Sequence, residues 1–367
     1  FLFLFSSCIP QTKKKTVSHS IVNKTNDEIS STVTNPVENP KVIEIINNNL
    51  ESNNEDLSKK IHVILSNKKE HRYTSKSFLN ALEMATFDIG NESLTFEINT
   101  YINDEDLNNL FMQKSKEGQI FIGPLTSKDT MLVKKFCKNN IIVFAFASDR
   151  DLAGDCIYLF NFFIEDDLKK IFSYLNTNNK VALLYPNNEY GKYVSSIIDD
   201  FSKNSEATLI YKIPYKEDLT DSRSVIKQIG KYDFRKNELE KQKKLLKERN
   251  DEISLASLKK LEKFETIGDL DFNTLIISDG NIRILELAPL LPFYDIDPKQ
   301  VQFIGTGLWD EKSYFDEPSL QGSIFPGIEE IKRKKFIDDY VNIYKIPPER
   351  ISTIMYDLAA LANYLSK

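Results

Sequence analysis

The sequence predicts an α/β protein of two doubly wound parallel-sheet lobes, with a charged helical insertion in the second. Three observations carry this reading. At 367 residues the chain is too long for one ordinary core and suits two domains with extensions. From Lys60 onward, short β-rich runs alternate with apolar stripes at helical spacing, the pattern of parallel strands joined by crossover helices. After Phe163 the series begins again and repeats the same architecture.

Taken in order, Ile61 to Leu65 is the first strand. Phe78, Leu82, Ala85 and Ile89 then recur at helical spacing and put one apolar face of a helix against the sheet. Leu94, Phe96 and Ile98 alternate as a strand, and Leu107, Leu110 and Phe111 mark the next helix. Ile120 to Ile122 and Ile141 to Phe146 read as buried strands separated by a helix carrying Val133 and Phe136. Tyr158 to Phe163 closes the first series. In the second, Leu168, Ile171, Phe172 and Leu175 form a helix stripe, followed by a strand at Val181 to Tyr185. Val194, Ile197, Ile198 and Phe201 make another helix, and Leu209 to Ile213 another strand. Phe272 to Ile277, a helix with Ile284, Leu287, Ala288 and Leu291, and Val301 to Ile304 complete the series. Two more stripes follow: Phe336, Tyr340 and Ile343, then Met355, Leu358, Ala359 and Ala362.

These runs assign residues 60–163 plus a return segment, 326–367, to the first lobe and 164–325 to the second. Within the second, 230–265 breaks the pattern. Leu239, Leu245 and Leu246 stand among many Lys and Glu, as in one or two solvated helices projecting from the lobe. A docking arm for a protein partner is the functional alternative. The sequence stops at Lys367, at the end of a helix stripe, and a further C-terminal piece is expected.

Residues 1–8, Phe1 to Cys8, are an apolar run too short to span a bilayer, ending in small residues and a cysteine. They read as the tail of a truncated export signal with a lipidation motif over Phe5 to Cys8, Cys8 carrying the lipid and anchoring the chain to a membrane. Residues 9–59 are too polar to bury a core and read as a disordered tether. Of the other cysteines, Cys137 follows Phe136 on an apolar stripe and is expected as a buried small hydrophobe; a bridge to Cys156 is the lesser expectation.

Hydrophobic residues at 41% with 28% charged fit a globular protein, and a net charge of -6 argues against a nucleic-acid partner held by phosphate contacts. Catalysis has little to build on. The three histidines are His19, His62 and His71, and no metalloprotease, nucleophile-elbow, phosphate-loop or zinc spacing occurs. No catalytic residue, metal ligand or cofactor is assigned. Glu165-Asp166-Asp167 precedes a helix stripe, where carboxylates favour the positive dipole end.

Ligands of open α/β sheets sit beyond the carboxyl ends of the strands, so those ends supply the candidate cleft. The first lobe offers Gly123, Leu125, Thr126 and Ser127 after one strand, and Ser148 and Asp149 after the next. Thr126 with Asp129 three residues on has the spacing of a capping box, which would leave backbone N–H groups facing the cleft for a carboxylate; an ordinary helix cap is the plainer reading. The second lobe offers Tyr190, Asp279 and Trp309, the only tryptophan, which lines the cleft or seals the lobe's edge.

Several stretches resemble the penicillin-binding protein activator family of LppC/LpoA-like lipoproteins, whose fold is that of the type I periplasmic binding proteins and is close to the amino-acid receptors of ABC importers. They are Phe121 to Leu125, Ser148 to Arg150, Leu184 to Pro186 with Tyr190-Gly191, and above all Leu287 to Asp295 running into Gly305 to Asp310. The resemblance spans about Lys60 to Lys367. It implies a non-enzymatic periplasmic lipoprotein, anchored in the outer membrane of a Gram-negative bacterium, that regulates peptidoglycan synthesis by contact with a class A penicillin-binding protein. Ile9, which is not the Asp that retains lipoproteins at the inner membrane, agrees by analogy with that routing. The alternative is a solute receptor of an ABC importer, binding an amino acid or similar small ligand. One departure bears on the choice: where related proteins carry a Pro-Leu-Ser-Gly-like turn after the first strand, this chain has Ser66-Asn67-Lys68-Lys69. The helical-repeat N-terminal domain of the enterobacterial activators also has no counterpart here.

Overall fold

A computed structural model describes residues 60–90, 94–249 and 251–365; the signal, Cys8 and the tether lie outside them. The first series folds as β1 (Lys60–Ser66), α1 (Arg72–Ile89), β2 (Thr95–Tyr101), α2 (Asp104–Lys114), β3 (Ile120–Ile122), α3 (Ser127–Val133), β4 (Ile142–Ala145) and β5 (Ile157–Leu159). The strands pair in the order β2-β1-β3-β4-β5, all parallel, with Ile61 opposite Ile120 and Ile120 opposite Ile142. β3 and β4 are buried along their whole length because helices cover both faces of the sheet, so their sequences are unbroken apolar runs.

The second series runs α4 (Ile164–Tyr174), β6 (Lys180–Pro186), α5 (Glu189–Lys203), β7 (Thr208–Tyr215), α6 (Ser222–Ile229), α7 (Tyr232–Arg249), α8 (Glu252–Leu261), β8 (Thr274–Ile277), α9 (Asn281–Leu287), α10 (Leu290–Phe293), β9 (Gln302–Gly305) and α11 (Lys312–Phe315). Its strands order as β7-β6-β8-β9, again all parallel, and a parallel bridge from Ile304 to Ile324 extends the sheet past β9. The expected two-lobed α/β architecture is the observed one. In each sheet the strand order reverses beside the first strand of the series, at β1/β3 and at β6/β8.

Local chemistry sets the element ends. Gly90, at φ 59°, ends α1 in the left-handed conformation and donates its N–H to the Thr86 carbonyl. The Asn188 side chain caps α5 by accepting from Gly191 N at 2.8 Å. Gly191 is required there, because a Cβ would lie 1.8 Å from the Pro186 carbonyl oxygen.

After Ile324 the chain returns, and α12 (Glu330–Tyr344) and α13 (Ser352–Leu365) complete it. Both pack on α1 around a buried hydroxyl cluster: Ser77 Oγ lies 2.6 Å from Ser352 Oγ and 3.1 Å from the Tyr340 hydroxyl, to which Asn80 Nδ2 donates at 2.9 Å. The charged insertion is the hairpin α7–α8, in which Leu239 is buried while Leu245 and Ile253 are exposed.

Two expectations are corrected. Cys137 and Cys156 form a disulfide, S–S 2.08 Å, where separate cysteines were expected. The helix over Val133 and Phe136 ends at Val133 and tightens into a 3-10 turn, Lys134–Asn139, which carries Cys137 out of the helical stripe. The pairing of β4 with β5, through Val143 N to the Cys156 carbonyl at 2.9 Å, then brings Cys156 alongside. The strand expected over Tyr158 to Phe163 stops at Leu159; the rest is the crossover into the second lobe.

Candidate functional site

The candidate site is built where the carboxyl ends of the strands meet between the lobes. On the first lobe, β3 runs into Gly123, whose φ of 109° and whose hypothetical Cβ, 2.3 Å from the Ile64 carbonyl oxygen, admit only glycine. Leu125 is half-buried. Thr126 caps α3, its hydroxyl accepting from Asp129 N at 3.1 Å. Ser127 Oγ accepts from the backbone N–H groups of Ser148 and Asp149 at 3.2 and 3.1 Å, so the loops after β3 and β4 are tied together. The sequence-derived residues Gly123, Thr126, Ser127, Ser148 and Asp149 therefore do assemble on one rim, but several of its polar groups are spent on one another.

The reciprocal half of the capping box is missing. Asp129 is wholly buried and turns toward Lys68, whose Nζ donates to its Oδ1 at 2.9 Å, and toward Tyr101, whose hydroxyl donates to Oδ2 at 2.7 Å. Burial pushes the Asp129 carboxyl up, but the Lys68, Tyr101 and Thr126 donors outweigh it and hold the pKa below the usual range. Lys68 lies in the Ser66–Lys69 turn directly after β1. Its side chain thus links the loop after β1 to α3, the helix that follows β3, with Nζ also 5.3 Å from the centre of the Tyr101 ring.

On the second lobe the expected residues sit deeper. Asp279 is buried, receiving Arg283 Nε and Nη2 at 2.6 and 2.7 Å and the Tyr215 hydroxyl at 2.6 Å. Trp309 is also buried and donates Nε1 to the Asp279 carbonyl at 2.9 Å, with its ring against Gly305. Asp279 is thus spent on an ion pair within its own lobe, and the buried indole agrees with the second of the two alternatives for Trp309, sealing the lobe's edge. Tyr190 is half-buried, its hydroxyl accepting from Ser278 Oγ at 3.1 Å. A small cavity of about 230 Å³ behind Trp309, lined also by Tyr314, Phe315, Leu320 and Phe325, belongs to this lobe alone.

Sequence reasoning missed the charged groups that span the lobes. Arg350, between α12 and α13, lies with its guanidinium carbon 4.0 Å over the Phe162 ring and its Nε 3.4 Å from Asp310 Oδ2. Arg333 donates Nη1 to the same Asp310 oxygen at 2.7 Å and Nε to Thr353 at 3.1 Å. Gly307 lets the Arg350 guanidinium approach, since a Cβ would come within 2.4 Å of Nη1. Asp167, read from sequence as a dipole-capping carboxylate, instead accepts from Gly307 N at 2.8 Å, tying α4 to the loop after β9. Burial raises its pKa against the pull of that N–H group and of Arg350. Elsewhere Arg150 pairs with Asp166 and lies 3.6 Å from Glu165, with its guanidinium 4.1 Å over the Phe163 ring. The Tyr193 hydroxyl donates to Glu165 at 2.5 Å, which helps push its pKa up to about 12. The available signal was a lone Arg after Pro347-Pro348, two residues that stiffen a loop between helices.

Among the described residues no cluster of His, Cys, Asp and Glu has metal-binding geometry, and no helix is long and apolar enough to cross a membrane.

No family model matches the chain, and no curated protein matches it by sequence. Solved structures do match. A branched-chain amino acid ABC transporter periplasmic ligand-binding protein from Burkholderia xenovorans LB400 is 11% identical, over 84% of this chain and 80% of that one, with a TM-score of 0.58. An ABC transporter solute-binding protein from Rhodopseudomonas palustris BisB5, in complex with 3,4-dihydroxybenzoic acid, is 11% identical over 84% and 82%, TM-score 0.56. A branched-chain amino acid transporter substrate-binding protein from Streptococcus pneumoniae, in complex with isoleucine, is 14% identical over 84% and 86%, TM-score 0.52. At these identities the likeness shows a shared fold, the two-lobed type I periplasmic-binding-protein fold, and nothing finer.

Proposed function

We propose that this is a non-catalytic binding protein of the periplasm that takes a small solute, of the size of an amino acid or a small aromatic acid, between its lobes. One observation carries the reading: two parallel sheets, each reversing strand order beside its first strand, the place where open α/β sheets bind ligands. The ligands named for structures of the same fold, isoleucine and 3,4-dihydroxybenzoic acid, set the size class. Thermal unfolding of the full chain against amino acids and small aromatic acids tests it. A ligand should raise the midpoint progressively with concentration, equivalent to about 2.7 kcal/mol at a hundredfold excess over Kd. A flat response across the panel defeats the proposal.

A second reading has its own support. The first-lobe rim is largely occupied by protein groups, with Lys68 on Asp129 and Ser127 on the Ser148 and Asp149 amides, while the α7–α8 hairpin exposes Leu245, Ile253 and Leu255. This suits a regulator acting by surface contact. In this reading the chain is an outer-membrane lipoprotein, anchored through Cys8, and the partner is a class A penicillin-binding protein. Retention of a peptidoglycan synthase from membrane extract, lost when the hairpin is excised, supports it; equal retention by the excised form counts against the hairpin as the contact.

A further inference from the structure

The arginines that bridge the lobes are not accounted for by ligand binding or by either core. Arg333 and Arg350 come from the α12–α13 return segment, which packs on the first lobe, where Glu349 N also donates to Ser77 Oγ at 3.1 Å. Asp310 and Gly307 follow β9 of the second lobe. Arg150 follows β4 of the first, whereas Glu165 and Asp166 open α4, whose Leu168, Ile171 and Phe172 belong to the second lobe's core. Both sets flank one crossover: successive residues, Phe162 and Phe163, each place a ring under one guanidinium.

We propose that these contacts form a two-point arginine clasp that staples the crossover and holds the lobes together without a ligand. Arg350 and Arg333 grip Asp310 on one side, and Arg150 grips Glu165 and Asp166 on the other. The physical case rests on the combination. An isolated exposed ion pair contributes little. Here a carboxylate is shared by two arginines, Arg333 has only 7% of its side chain exposed, and both crossover guanidinium groups lie over aromatic faces. Lobe opening would bend the crossover and break both grips together, so the resting arrangement is the clasped one.

The test uses the full chain with no ligand added. Dyes at Lys128 and Lys192, exposed residues on the two lobes, report the lobe separation by energy transfer, and amide exchange reports on residues 307–310. The wild type should give one narrow transfer distribution. Arg150→Ala combined with Arg350→Ala should broaden it toward lower transfer and speed exchange at 307–310 by about tenfold. Arg150→Glu should reproduce part of the opening and Asp166→Arg added to it should reverse that. This exposed pair keeps the proposal testable should loss of Arg350 impair folding. A broad distribution in the wild type, or variants indistinguishable from it, overturns the clasp. Because no solute is present, failure here leaves the solute-binding reading standing, and a flat solute screen leaves the clasp standing.

Discussion

Removing one partner of the Lys68–Asp129 pair leaves a charge in a site closed to water. Lys68→Met is expected to destabilise the chain by about 3–5 kcal/mol at neutral pH, because Asp129 then stays buried without its cation. The direction with pH follows from the depressed Asp129 pKa. Its contribution is present above the unfolded-state value and is lost as pH falls through the lower folded value. Urea unfolding should therefore show the gap between wild type and variant shrinking below about pH 4; a gap constant with pH would contradict the pairing. Gly191→Ala is a backbone case. The new methyl meets the Pro186 carbonyl rather than a flexible side chain, and a loss of about 1–3 kcal/mol is expected in the same measurement. The sequence marked the Ser66–Lys69 turn as unusual and Thr126 as a cap. It did not show Lys68 reaching a carboxylate sixty-one positions away, because only the parallel pairing of β1 with β3 brings the two together.

Among elements, those with strong periodicity were legible. The stripes of α1, α4 and α5 and the buried runs of β3, β4 and β8 stand close to where the sequence placed them, since spacing of apolar residues is set by the element itself. What failed were the junctions. The 3-10 turn after α3 and the early end of β5 depend on what packs against them, and with them went the disulfide. That bond closes a loop between positions nineteen residues apart, and reducing it should lower stability by about 3 kcal/mol, read as a shift of the denaturation midpoint with and without reductant. The hairpin behaves as a separate element. The second lobe's main core includes Tyr232 at its base but no residue beyond it on α7 or α8. Replacing residues 236–263 by a short Gly-Ser turn should leave the unfolding midpoint within a few degrees of the parent; collapse of the lobe would show that α7 is part of its core.

At the scale of the molecule, the two-lobed plan was legible because the chain repeats one pattern, but the surface between the lobes was not. Asp167 looked like a helix-end carboxylate and Arg350 like a loop residue, and their roles exist only once the lobes are side by side. The candidate rim was half legible for the same reason. Ser127, Ser148 and Asp149 follow the carboxyl ends of neighbouring strands of one sheet, whereas Asp279 and Trp309 are turned inward by contacts with Arg283 and Gly305. The Cys137–Cys156 bond has a further consequence, for where the protein can mature. Thiols in a cytosol are kept reduced, so a chain retained there would fold its first lobe with two free sulfhydryls, and only passage to an oxidising compartment would seal it. Counting thiols on protein recovered from the cytosol and from secreted material would read that itinerary directly.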